Sequence, residues 1–293
     1  YNRVRRMLGG FPKPSKRAPR HPLSMPELPE VETTRRGIAP ELTRLGSTGA
    51  IIRNARLRHP IPEDLDTLLH GQTLLAVERR AKYLLLRFPA GSLLVHLGMS
   101  GSLRIVPAGT PPEKHDHLDI LFGERALRLR DPRRFGLVLW QSGDAPHPLL
   151  AGLGIEPLDD GFNGPWLHQA ARGRKTPAKL FLMDGHQIVG VGNIYASESL
   201  FRAGIDPTTP IGELGPRRCA RLVQCIRETL QDALAAGGST LRDFVGSNGA
   251  PGYFQQQYFV YGRDGEACRK CATPIRKRIM GQRASFYCPR CQR

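Results

Sequence analysis

The chain has 293 residues, 40% hydrophobic and 24% charged, enough apolar content to bury a core and too much for a wholly disordered polypeptide. Forty-three Lys and Arg against 26 Asp and Glu give a net charge of +17, an excess that concentrates polyanions at the surface and points to nucleic acid as partner. No uncharged apolar stretch approaches the roughly 20 residues a membrane-spanning helix requires, so no membrane partner is expected.

Residues 1–25 carry seven basic side chains, four prolines and no acid. Without periodicity they read as a disordered basic leader, and they lack the apolar stretch of a secretory signal. Met25 is the candidate start of the mature protein, and removing the leader's seven cations still leaves +10. From Glu30 to about Leu45, apolar Val31, Ile38, Leu42 and Leu45 recur at helical spacing, with Pro29 suited to the first turn. Eight short strands are predicted next, over 50–57, 73–80, 83–88, 93–97, 103–106, 118–122, 126–130 and 137–141. Gly, Pro and Asp break them, as in an antiparallel sandwich or barrel. Beyond about residue 155 the pattern turns helical. Arg217 to Ala236 is the clearest case, with Leu222, Val223, Ile226, Leu230, Ala233 and Leu234 on one stripe and Gly237 and Gly238 as the stop. The last 26 residues return to short strands. The layout is α+β: a β domain, a helical domain and a small metal-stapled appendix.

Cys268, Cys271, Cys288 and Cys291 have the form C-x2-C-x16-C-x2-C, the spacing of a structural zinc ribbon in a reducing cytosol. Four thiolates would fill the tetrahedron and leave no open position, so this zinc is not catalytic. Arg276, Lys277, Arg278 and Arg283 between the pairs give the ribbon a cationic face fit for phosphate. Cys219 and Cys225 fall in the amphipathic helix and read as core.

The stretch from Gly190 to Tyr195 precedes a helix and offers backbone N–H groups to an anion, with a polymer phosphate as candidate and a simple tight loop as the alternative. It is not a dinucleotide fingerprint, because Tyr195 replaces the third glycine and no βαβ unit surrounds it. His115, Asp116, His117 and Asp119 have metal-ligand chemistry, but in a basic β-rich chain they read as hydrogen-bonding or phosphate-contacting. The turn Asp131-Pro-Arg-Arg-Phe-Gly136 sets two cations beside an aromatic. Phe135 reads either as a buried anchor or as a wedge in a base stack.

Seven motifs in order, Met25-Pro-Glu-Leu-Pro-Glu-Val-Glu32, Arg80-Ala-Lys-Tyr83, His96-Leu-Gly-Met-Ser-Gly101, Lys114-His-Asp-His117, Asp131-Pro-Arg-Arg-Phe-Gly136, Val191-Gly-Asn-Ile-Tyr-Ala-Ser-Glu198 and Gln282-Arg-Ala-Ser-Phe-Tyr-Cys288, together with the zinc spacing, resemble the bacterial formamidopyrimidine-DNA glycosylase family. The resemblance runs from Pro26 to the C-terminus, about nine-tenths of the chain. Leu28, where the sister endonuclease VIII branch has glycine, favours the purine-lesion branch.

The resemblance implies an N-terminal antiparallel β-sandwich over 26–155, a helix–two-turn–helix DNA-binding domain over 156–258 and a zinc-finger hairpin over 259–293. It implies a monomeric DNA glycosylase and AP lyase of base-excision repair that acts on duplex DNA containing oxidised purines or abasic sites and holds one structural zinc ion. Pro26 then matches the nucleophile that forms a Schiff base with the sugar, and Glu27 the acid that protonates the ring oxygen. Lys82 matches a second proton donor that assists β-elimination, and Arg283 the donor of δ-elimination. Met99, Arg133 and Phe135 match the trio filling the gap left by the everted nucleotide. His115, Arg133, Arg174 and Asn193 match DNA contacts, the last gripping the phosphate beside the lesion. Residues Ser239 to Tyr253 match a mobile loop over the base. One departure stands out: Pro26 follows Met25 and the leader, so its nitrogen is a tertiary amide and cannot attack. The expectation is that the active protein begins at Pro26.

Overall fold

A computed structural model describes residues 25–238 and 258–293. The leader up to residue 24 and the loop predicted over Ser239–Tyr253 lie outside the described residues. Helix α1 (Leu28–Leu42) carries Pro29 in its first turn, and the Glu30 carboxylate accepts the Glu27 N–H at 2.8 Å, so acid and proline together start the helix. It stops short of the predicted Leu45 because Arg44 and Leu45 exchange backbone hydrogen bonds with Leu74 instead.

Eight strands follow: β1 (Gly49–Ile52), β2 (Ala76–Arg80), β3 (Tyr83–Phe88), β4 (Gly91–His96), β5 (Ser102–Pro107), β6 (Asp116–Phe122), β7 (Arg125–Arg130) and β8 (Leu137–Ser142). They form two antiparallel four-stranded sheets, ordered β1-β6-β7-β5 and β2-β3-β4-β8. Alternate residues face a shared core. Leu84, Leu86, Leu93 and Val95 of one sheet meet Leu103, Leu118, Ile120, Leu127 and Leu129 of the other, capped by Val31, Ile38 and Leu42 of α1. Fully burying each such side chain is worth about 1.5–3 kcal/mol.

Two predicted strands are shorter than expected. After Ile52 the N–H groups of Arg53 and Asn54 both turn onto the His117 carbonyl, and the Asn54 side chain accepts from Arg56 N–H, which ends β1. Thr73 bridges Gly46 rather than extending β2. A five-residue helix, α2 (Leu65–Leu69), was not predicted; it buries only Leu65 and Leu69 and is too short for a periodic signal.

The helical region comprises α3 (Pro148–Ala151), α4 (Gly164–Ala171), α5 (Ala178–Leu182), α6 (Asn193–Ala203) and α7 (Pro216–Ala235). Leu222, Val223, Ile226, Leu230 and Ala233 of the α7 stripe are buried as expected while Leu234 is half-buried, and Gly237 and Gly238 follow in left-handed conformation at φ 74° and 81°. This core runs into the C-terminal ribbon, where Ile275, Phe286 and Cys288 join Phe201, Leu222 and Ile226 in one cluster. Strands β9 (Arg276–Met280) and β10 (Arg283–Tyr287) pair antiparallel, joined by Gly281 and Gln282 at φ 52° and 61°. Two left-handed residues between paired strands make the tight hairpin turn that matches strand twist.

Candidate active site

The N-terminal end of α1 meets the N-terminal end of α6. The Glu27 carboxylate, 1% exposed, accepts from the backbone N–H groups of Gly192 at 2.7 Å, Ile194 at 2.9 Å and Tyr195 at 3.3 Å. Alongside, Leu28 N–H donates to the Gly190 carbonyl at 2.9 Å. The helix start read from sequence as a phosphate cradle therefore holds the protein's own carboxylate. The physical reason is that the first N–H groups of a helix lack internal partners and carry partial positive charge, so a buried acid satisfies both. Gly192 is required here, because a Cβ would stand 2.4 Å from Glu27 Cδ. Burial pushes the Glu27 carboxyl above its ordinary value; the Lys82 charge opposes this more than the helix N–H groups do.

Lys82 occupies the β2–β3 turn, where Ala81 is left-handed at φ 56°. Glu156 fixes that turn. Its carboxylate accepts from Ala81 N–H at 2.7 Å, Arg79 at 2.8 Å and Arg80 at 3.1 Å. Burial presses the Lys82 ammonium below its ordinary value, Glu27 resists, and Arg283 adds to the depression. Arg283 is the exposed first residue of β10, so the hairpin brings its guanidinium toward Lys82. A cleft of about 140 Å³ opens beside Lys82, lined also by Tyr83, His96, Met183 and Gly190. Burial, then Lys82 and Arg58, push His96 down to about 4. Its Nδ1 accepts from Gly98 N–H at 3.0 Å, which leaves the proton of the neutral ring on Nε2.

Asn193 opens α6. Its side chain is buried: Oδ1 accepts from Lys179 Nζ at 2.7 Å, and Nδ2 donates to the Ala284 carbonyl at 3.0 Å. Lys179, which sequence reasoning missed, also donates to Ser285 Oγ at 2.6 Å and so ties α5 and α6 to β10. Burial and Arg283 lower its ammonium to about 7, against the pull of Glu27. The available signal was one lysine amid Ala178, Leu180 and Phe181.

A second group surrounds the 131–136 turn. The Asp131 carboxylate accepts from Ser100 Oγ at 2.6 Å and Gly136 N–H at 2.8 Å, and Ser100 Oγ accepts from Arg133 N–H at 3.1 Å. Met99 thus sits in a turn bound to the one bearing Arg133 and Phe135. The Arg133 guanidinium lies 4.9 Å from the Phe135 ring centre, and that ring is 47% exposed rather than an anchor in the core. The His115 carbonyl accepts from Asp131 N–H at 3.0 Å. Asp119 pairs with Arg53 and Arg128 rather than joining the histidines as a ligand set. Arg174 stands apart after α4, exposed, donating to the Ala170 carbonyl at 2.8 Å and lying over the Phe181 ring.

The ribbon fits a zinc ion. Sγ–Sγ separations are 3.4 Å for Cys271–Cys288 and Cys271–Cys291 and 3.9 Å for Cys268–Cys291, with all four sulfurs within 4.8 Å of one another. Zinc–sulfur bonds of about 2.3 Å in a tetrahedron give edges of about 3.8 Å. The buried Gln292 side chain accepts from Cys288 N–H and donates to the Ile205 carbonyl, each at 2.8 Å, docking the ribbon against the end of α6.

Three family models match the chain in succession: a formamidopyrimidine-DNA glycosylase N-terminal domain over 25–138, a formamidopyrimidine-DNA glycosylase H2TH domain over 153–245, and a zinc finger found in FPG and IleRS over 265–293. The formamidopyrimidine-DNA glycosylase of Aromatoleum aromaticum is 64% identical over 270 residues, covering 92% of this chain and all of that protein. The Pseudomonas aeruginosa enzyme of the same name is 58% identical over 270 residues with the same coverage. Among solved structures, a Lactococcus lactis Fpg mutant in complex with Fapy-dG-containing DNA superimposes with a TM-score of 0.85 at 32% identity, covering 92% of this chain and 100% of that one. The MutM (Fpg) protein of Thermus thermophilus gives 0.81 at 38% identity, covering 91% of this chain and 98% of that one.

Proposed function

The chain belongs to the formamidopyrimidine-DNA glycosylase family, and from that premise we propose how its own residues carry out the chemistry. It is a DNA glycosylase of base-excision repair with a structural zinc site. In our reading it removes oxidised purines, 8-oxoguanine and formamidopyrimidines, and then opens the strand by β,δ-elimination.

A damaged nucleoside must leave the duplex before its sugar is reachable. The Pro26 secondary amine forms a bond to C1′ as the C1′–N bond to the base breaks, and the amine's proton leaves with the departing base. Glu27 gives its proton to the ring oxygen as the C1′–O4′ bond breaks, leaving an iminium. That cation draws electrons from the C2′–H bond, so loss of the C2′ proton expels the 3′ phosphate and a second elimination expels the 5′ phosphate. Lys82 supplies a proton, and Arg283 hydrogen bonds and positive charge, to the departing phosphates. Met99, Arg133 and Phe135 fill the vacated stack, and His115 and Arg174 hold the backbone. Asn193 acts with Lys179 from beneath, setting the hairpin that carries Arg283.

The observation that carries this reading is the buried Glu27 carboxyl. It sits next to Pro26, lies beside Lys82, and has a proton affinity raised by burial. The amine must be free, so the competent species is the chain starting at Pro26; in support, the N-terminal family model begins matching at residue 25. We divide the chain functionally at 26–155, 156–258 and 259–293. A cytosolic setting agrees with reduced, metal-binding thiols, and no helix among the described residues is long and apolar enough to cross a membrane.

Borohydride trapping on an abasic duplex tests the scheme. A chain beginning at Pro26 is expected to form a covalent adduct, and Pro26→Gly is expected to abolish or greatly slow excision of a damaged base. The chain retaining residues 1–25 is expected to bind DNA without cross-linking. An adduct formed by protein still acylated at Pro26 refutes the assignment.

A further inference from the structure

One buried arginine lies outside this chemistry. Arg128, at the middle of β7, is 3% exposed. Its cross-strand neighbours are Asp119 on β6 and Arg104 on β5. Its Nε and Nη2 each donate to a different oxygen of Asp119 at 2.8 Å, while Nη2 and Nη1 also reach the carbonyls of Thr110 at 2.8 Å and Pro111 at 3.1 Å. A buried ion pair contributes little net stability over apolar packing of the same volume. The two carbonyl bonds give this one a direction: they hold a loop.

That loop has a long way to go. β5 ends at Pro107 opposite Arg125, and β6 starts at Asp116 opposite Arg130, so residues 108–115 cross the whole length of β7. Arg128 pins the midpoint of the crossing. Beyond it the chain closes into a tight turn, where Glu113 N–H donates to Asp116 Oδ2 at 2.8 Å and Asp116 N–H donates to the Glu113 carbonyl at 3.1 Å. Within the turn His115 is held left-handed at φ 77°, a conformation a non-glycine residue keeps only when its surroundings enforce it. From there the His115 carbonyl accepts from Asp131 N–H, and Asp131 organises the turns of Met99, Arg133 and Phe135 as described above.

We propose that Arg128 is a positioning residue for DNA recognition, holding the β5–β6 connection so that His115 keeps its left-handed backbone and presents its side chain to DNA. The proposal rests on the reading of His115 and Arg133 as DNA-facing.

The test is a double-mutant cycle in the zinc-loaded protein. Kd for a duplex containing a tetrahydrofuran abasic analogue is measured by fluorescence anisotropy for Arg128→Gln, His115→Ala and the pair, with thermal melts alongside. Arg128→Gln is expected to weaken binding roughly tenfold alone and by less than about twofold in the His115→Ala background, while any loss of Tm is the same in both, since sites coupled through a shared backbone segment are non-additive and a general loss of stability is not. If Arg128→Gln does not fold, Arg128→Lys, which keeps the charge but cannot fork across Asp119 and both carbonyls, is read by the same criterion. Equal weakening in both backgrounds, or none in either, overturns the role of Arg128. If His115→Ala alone leaves Kd unchanged, the reading of His115 as a DNA contact fails first and takes this role with it.

Discussion

Replacing Gly192 with alanine isolates the acid's anchorage. Gly192 has φ −120° and ψ −154°, a conformation open to any L-residue, so the backbone raises no objection. The added methyl instead would stand 2.4 Å from Glu27 Cδ and 2.5 Å from its Oε1, where non-bonded carbons settle at about 3.5 Å or more. The carboxylate must therefore retreat by roughly 1 Å, and misplacement on that scale costs about 100-fold in rate. That corresponds to about 2.7 kcal/mol of barrier. Weakening three N–H···O contacts lowers stability by about 1–3 kcal/mol, so the rate is measured well below the melting transition. The assay is single-turnover release of a damaged base from duplex DNA, using the chain that begins at Pro26. A cooperatively folded Gly192→Ala protein that excises within threefold of the unsubstituted rate would falsify the reasoning.

Other perturbations reach other parts of the site. Lys179 releases its proton at about 7 in the folded chain against 10.5 ordinarily. The unfolded state therefore binds more protons throughout that window, and stability falls as pH falls through it. Denaturant melts at pH 7 and 9 should show a rise of roughly 1–2 kcal/mol that Lys179→Met lacks; equal slopes in the two proteins would count against a buried, depressed amine. Phe135→Ala should leave stability within about 0.5 kcal/mol, as befits an exposed side chain, yet slow excision from duplex DNA while sparing reaction on a single-stranded abasic site. A parallel loss on both substrates would remove the wedge role. Stripping zinc with a chelator, or Cys291→Ser, should release one metal equivalent and weaken DNA binding; intact binding by metal-free protein would separate the ribbon from DNA recognition.

Legibility followed the range of the interactions. The α7 stripe, the short apolar runs of β3 and β6 between Gly, Pro and Asp breakers, and the cysteine spacing depend on neighbours within a few residues, and each gave its element close to the observed bounds. Strand ends at Ile52 and Ala76 were set by hydrogen bonds to His117 and by a bridge from Thr73 to Gly46, which no local pattern announces. The partner of the α6 N-terminus was misread for the same reason. A cradle of N–H groups is visible in the sequence, but the acid that occupies it lies 165 residues away. Lys179 was hidden by its setting, since its neighbours are apolar and its partners Asn193 and Ser285 come from distant elements. Motif resemblance singled out Asn193 but could not say that its amide faces inward.

The grip of α6 on Glu27 makes the proposed proton donor a sensor of how the molecule's halves sit. Glu27 belongs to the strand-rich half by sequence, yet its carboxylate is bolted to a helix of the other, and Glu156 reciprocates by clasping the Lys82 turn. Any flexing of the seam moves acid and ammonium at once. Neither half in isolation owns a working centre, so splitting the polypeptide between β8 and α4 should yield pieces that regain turnover only when reseated together.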